Sequence, residues 1–153
     1  MSGGGPACQA NARMSDFPRQ ILAVMEEQVP FNRLLGMKGE SASPGACVLT
    51  LPARPELVGD FGRAALHGGV VSALIDTAGG VAAWSALGPE ESVSTVDLTV
   101  DFLEPAGLGG PLRATAQLVR KGNRVCHVRV AVSQDGVLVA EGRAVYGIHK
   151  RRA

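Results

Sequence analysis

The second half of the chain alternates. In SVSTVDLTVDFL, 92–103, Val96, Leu98, Val100 and Phe102 alternate with Thr95, Asp97, Thr99 and Asp101. Period two predicts a strand with one buried and one polar face. Further strands are predicted over 112–120, 124–133 and 137–148. Lys121-Gly122-Asn123 marks one hairpin, and Gln134-Asp135-Gly136 another, because Asp-Gly suits positive φ. The run LHGGVVSALIDTAGGVAAWSAL, 66–87, has a different period. Val71, Leu74, Ile75, Ala78, Val81, Ala82 and Ser85 fall on one face of a helix over about 68–87, stopped by Gly88-Pro89.

The first half is less regular. Residues 1–15 show no periodicity and are expected to be a disordered tail. Ser15 or Asp16 is placed to cap a short helix to about Gln28, with Pro18 in its first turn and Ile21, Leu22 and Met25 as its apolar stripe. Pro30 ends it. Strands are expected near 34–41 and 46–51 around a Ser-Pro-Gly turn, followed by a Pro- and Gly-rich loop over 52–62. The order is helix, two strands, long helix, four strands. One helix cannot cover six strands from both sides, but a strongly curved antiparallel sheet can wrap around it. The fold class is therefore α+β, a single hot-dog domain over 16–150.

Composition narrows the function. Of the 153 residues, 46% are hydrophobic and 19% charged, as in a globular protein with a real core, while 4% aromatics means aliphatic side chains fill it. A net charge of +1 argues against a general polyanion binder, and His149-Lys150-Arg151-Arg152 is too short to imply nucleic acid. Cys8, Cys47 and Cys126 have neither zinc-ligand spacing nor a C-x-x-C motif, so reduced thiols in the cytoplasm are expected. His67, His127 and His149 lack paired spacing, and no metal or cofactor is expected. The N-terminus has no secretory pattern. The long helix is the most membrane-like stretch, but Asp76 near its centre would cost about 2.5–3.5 kcal/mol on insertion.

That carboxylate is the puzzle. Opposite the apolar stripe lie Gly69, Ser72, Asp76, Gly79, Gly80 and Ala83, small residues around one charge. A solvated face normally carries Lys, Glu and Arg, and this one carries none. Gly79 and Gly80 each cost about 1 kcal/mol relative to Ala. They are easier to explain if a partner chain or a ligand packs closely there. At the helix start, His67-Gly68-Gly69 presents amides without intrahelical acceptors and the positive end of the macrodipole. Such a place suits a polarised carbonyl oxygen, and His67 reads as a loop-fixing group rather than a proton donor. Gly68 and Asp76 are eight residues apart, about 12 Å along the axis. Two antiparallel helices from two chains bring them together, so the chemistry predicts a symmetric dimer.

His67-Gly68-Gly69 with Asp76 nine residues after the His, followed by STVDLTVDFLEPA at 94–106, resembles the hot-dog acyl-CoA thioesterases of the phenylacetic-acid-degradation (PaaI-like) type. The likeness runs from about Phe31 to Ile148. It implies that Gly68 N–H holds the thioester oxygen, and that Asp76 of the neighbouring subunit acts as general base or nucleophile. His67 would support the loop. A Ser or Thr on the following strand often orients the water, Ser94 being the matching position and Thr95 the second choice. Relatives are dimers or tetramers that bind coenzyme A, here part of the substrate, at subunit boundaries. One departure stands out: many relatives carry Asn or Gln six residues before the His, where this chain has Phe61, between Asp60 and Gly62. Asp60 would compensate if the loop is shifted by one residue.

Arg120, Lys121 and Arg124 cluster at the second-half hairpin, where they could meet the nucleotide phosphates of coenzyme A or simply be solvated. No G-x-S-x-G elbow or P-loop appears, and GLGGP at 107–111 lacks the setting of a dinucleotide site. The alternatives are a non-catalytic acyl-CoA-binding module and an acyl-thioester hydratase or dehydratase.

Overall fold

The computed structural model describes residues 6–150, with side chains from Asp16 onward. Helix α1 spans Pro6–Glu27, so it begins ahead of the expected cap and Pro18 lies inside it. Part of the expected tail, residues 1–5, and the last two arginines of the basic terminus lie outside the described residues. Ile21 is buried, and Phe17, Leu22 and Met25 pack against the core. A second helix, α2, Pro30–Leu35, occupies the start of the expected first strand. Pro30 opens it at a position that needs no N–H, and Gly36 closes it in the left-handed conformation, φ +76°.

Strands β1, Lys38–Ser43, and β2, Ala46–Leu51, form the first hairpin. The segment expected as loop over 52–62 holds a 3-10 turn, Pro55–Leu57, and β3, Val58–Asp60, which pairs with β4, Ala65–Leu66, just beyond it. Helix α3, Gly68–Ser85, follows. Then come β5, Glu91–Phe102; β6, Leu112–Lys121; β7, Val125–Gln134; and β8, Val137–Lys150. The Asp135-Gly136 turn has φ +50° and +80°, as its sequence requires.

One antiparallel sheet in the order β1-β2-β6-β7-β8-β5 packs against α3. The apolar stripe of α3 is buried. Leu74, Ile75, Ala78, Val81 and Ala82 meet Leu51, Leu112, Val128 and Val132 in the core. Ser85, the polar member of that stripe, is satisfied. Its hydroxyl accepts Gly45 N–H at 3.0 Å and has the Ser43 and Ala82 carbonyls at 2.9 Å. Strand β5 pairs with β8 on one side only and forms an edge of the sheet.

The alternation expected of β5 breaks at Val96. The β5–β8 register jumps from Thr95↔Tyr146 to Asp97↔Val145, leaving Val96 as a bulge, 65% exposed. The extra residue reverses the face on which the earlier part of the strand presents its side chains. Thr95 therefore turns toward α3, as do Leu98 and Val100 beyond the bulge. A strict period of two would have sent Thr95 outward.

Candidate active site

His67 is the N-cap of α3. Its backbone is extended, φ −63° and ψ 133°, and its Nδ1 accepts Gly69 N–H at 2.8 Å. That bond requires the neutral ring to carry its proton on Nε2. Its main-chain N–H donates to the Leu57 carbonyl at 2.8 Å, and its carbonyl takes Val70 N–H at 2.9 Å. The His67 ring thus orders the turn and uses up the Gly69 amide. The next amide, that of Gly68, has no acceptor among the described residues. Gly68 lines a cleft of about 330 Å³ together with Asp60, Arg63, Val71, Phe102 and Val139, and the Phe102 ring lies against its α-carbon.

Asp76 lies two turns further along α3, half-buried. Thr95 Oγ1 donates to its Oδ1 at 2.7 Å, and the Tyr146 hydroxyl donates to its main-chain carbonyl at 2.7 Å. Burial, reinforced by the Asp76 charge beside it, pushes the Tyr146 phenol well above its usual pKa, so it stays a donor. Ser94 faces elsewhere, its hydroxyl 2.6 Å from His149 Nε2. The bulge is the cause: it hands the inward position to Thr95.

At Gly79 and Gly80 the small face of α3 is packed by Tyr146 of this chain, where a partner chain or a ligand was expected. Gly79, Gly80 and Ala83 are buried, and a methyl at Gly79 would run into the Tyr146 phenol oxygen. Tyr146, the group that packs on Gly79, is the site feature that sequence reasoning missed. The available signal was one tyrosine in the apolar run RAVYGI, together with a glycine three residues after Asp76.

The hairpin before the His motif is self-contained. Asp60 Oδ2 takes the Arg63 Nε–H at 2.7 Å, and its Oδ1 accepts the amides of Gly62 and Arg63 at 3.0 and 3.2 Å. The Arg63 guanidinium holds the Asp60 carboxyl below the usual carboxylate range. Phe61 stands at the tip, 88% exposed. Arg120, Lys121 and Arg124 lie at the other end of α3, where Lys121 Nζ donates to the Ala86 carbonyl at 3.2 Å and complements the negative end of the helix. Among the described residues, no group of three or more His, Cys, Asp or Glu is placed to hold a metal. No helix among them is long and apolar enough to cross a membrane. Burial pushes the Cys47 thiol up to about 12, which makes it inert.

The sequence profile of the thioesterase superfamily matches residues 64–141, a span that starts just before His67 and runs into β8. The chain belongs to the thioesterase superfamily. This thioesterase is 35% identical over 132 residues to the medium/long-chain acyl-CoA thioesterase YigI of Salmonella typhimurium, an alignment covering 77% of this chain and 84% of that one. It is 28% identical over 133 residues to human acyl-coenzyme A thioesterase 13, covering 85% and 93% of the two chains. Among solved structures, the E. coli PaaI protein from the phenylacetic acid degradation operon superposes with a TM-score of 0.80 at 26% identity, covering 92% of this chain and 97% of that one. The thioesterase is thus a hot-dog protein of the PaaI-like type and a thioester hydrolase.

Proposed function

We propose that the protein hydrolyses acyl-CoA thioesters to the free acid and coenzyme A, with Asp76 as the working carboxylate and the Gly68 amide as the oxyanion donor. The observation that carries this reading is Asp76 itself. It is the one carboxylate of α3, aimed by the Thr95 hydroxyl and adjacent to the strand edge of the sheet. As general base it takes a proton from water while the oxygen attacks the thioester carbon. As nucleophile it attacks the carbon directly and water then cleaves the anhydride. Both routes put negative charge on the carbonyl oxygen, where the free Gly68 N–H and the helix dipole stabilise it, and both expel the thiolate of coenzyme A.

The two groups come from different chains. In one chain about 12 Å of helix separates them. Strand β5 runs beside α3, with Thr95 at the Asp76 end and Phe102 at the Gly68 end. It is twelve residues long, contains neither Lys nor Pro, and has one unpaired edge. Antiparallel pairing of two such edges about a two-fold axis near mid-strand lays the Thr95–Asp76 end of one protomer against the Phe102–Gly68 end of the other. The Arg120–Arg124 hairpin lies about 15 Å along α3 beyond Asp76. The protomer that supplies the carboxylate is therefore also placed to offer cations to the nucleotide phosphates.

Free-thiol release from a panel of aliphatic and aryl acyl-CoAs tests the reading. Turnover is expected to fall by about two orders of magnitude or more in Asp76→Ala while the fold persists. Undiminished release in that variant would remove Asp76 from the chemistry. Binding of acyl-CoA by the wild type without any thiol release would make the protein a binding module.

A further inference from the structure

Two hydroxyls converge on one residue of α3. The β5–β8 register sets Thr95 directly opposite Tyr146, and both face the helix at Asp76. Thr95 holds the carboxylate through Oδ1; Tyr146 holds the peptide carbonyl of the same residue and lies 3.4 Å from that same Oδ1. A helix carbonyl that already accepts an i+4 amide keeps a second lone pair, and Tyr146 fills it. Both ends of the Asp76 side-chain lever are thereby fixed. Nothing among the described residues bonds Oδ2.

The arrangement has a cost that space-filling does not explain. Gly79 weakens the helix, yet any side chain there would strike the phenol oxygen. A ring needed only to fill the core would serve without its hydroxyl. Tyr146 is the chain's single tyrosine, is 1% exposed, and spends its hydroxyl on the Asp76 carbonyl.

We infer that Tyr146 is a positioning residue for Asp76, and that Oδ2, the oxygen left unbonded, is the atom that reacts. The inference rests on Asp76 being the working carboxylate. Acyl-CoA hydrolysis by Tyr146→Phe, Gly79→Ala, Asp76→Ala and the Asp76→Ala/Tyr146→Phe double variant tests it, with cooperative thermal unfolding as the fold control. Tyr146→Phe keeps the ring and the strand register. Gly79→Ala keeps the hydroxyl but displaces it. In either variant kcat is expected to drop about tenfold to a hundredfold, since a misplaced reacting group carries such a penalty. KM is expected to stay within about twofold, as for an interaction expressed in the transition state. In the Asp76→Ala background the loss of the Tyr146 hydroxyl is expected to add nothing. Full kcat in folded Tyr146→Phe beside an inactive Asp76→Ala overturns the positioning role alone. An Asp76→Ala enzyme as fast as wild type overturns the reading beneath it. A kcat loss from Tyr146→Phe that persists undiminished without Asp76 overturns the positioning role, because the hydroxyl would then act through something else.

Discussion

The role proposed for Gly68 resides in a backbone N–H, so deleting a side chain cannot test it. Proline can. Gly68 is the first helical residue, a position where proline is favoured, and His67 before it already has the extended backbone that a following proline demands. The Phe102 ring, 3.2 Å from where a Cβ would stand, must yield by a few tenths of an ångström. Gly68→Pro is therefore expected to fold and to lose about 10²–10³ in kcat, the usual cost of an oxyanion donor. Steady-state kinetics with a melting control checks this. Thr95→Val removes the hydroxyl that aims Asp76 and is expected to lower kcat much more than Ser94→Ala, because Ser94 bonds His149 instead. Equal effects of the two substitutions would contradict the aim assigned to Thr95.

At the scale of elements, α3 is held at its start by a histidine cap and along its side by a tyrosine. His67→Ala removes the acceptor for Gly69 N–H and is expected to cost about 1 kcal/mol of stability, seen as a lower melting temperature. Helix α1 is tied to the sheet by Glu26, which accepts Lys38 Nζ at 2.8 Å and Gly39 N–H at 2.8 Å. The Lys38 bond and then the Gly39 amide hold the Glu26 carboxyl below its usual range. A carboxylate whose pKa is lower in the folded state stabilises fully above its unfolded value, and that contribution is lost as pH falls through the folded one. Acid unfolding of Glu26→Gln is accordingly expected to depend less on pH below about 4 than that of the wild type. A denaturant series across pH reads this directly.

The long, strongly periodic elements were legible in the sequence. Helix α3 begins at Gly68 as expected, and the four later strands agree within about two residues at each end. The losses have physical reasons. Helix α2 is too short for a helical period to show; its Pro30 reads as the stop of the preceding helix, and its closing Gly36 falls inside the strand expected near 34–41. Strands β3 and β4 have three and two residues, held by the Leu57 and Ala106 carbonyls that accept the amides of His67 and Leu66. Alternation cannot reveal strands of that length. The Val96 bulge is a matter of pairing, absent from any one strand's pattern, and it alone decides whether Ser94 or Thr95 meets Asp76.

At the scale of the whole molecule, the proposed chemistry makes one chain half a site. One chain offers a cleft with a free amide at one end of α3 and an aimed carboxylate two turns away, facing the same edge strand. Complementation between inactive chains measures this most directly. Asp76→Ala and Gly68→Pro are each expected to form dead homodimers. Unfolded together at equal concentration and refolded, half of the dimers are mixed, and each mixed dimer holds one site with both groups intact. Activity is expected to return to about a quarter of the wild-type value per chain. Two dead variants that stay dead after mixing, while the refolded wild type recovers fully, would contradict a site built from two protomers.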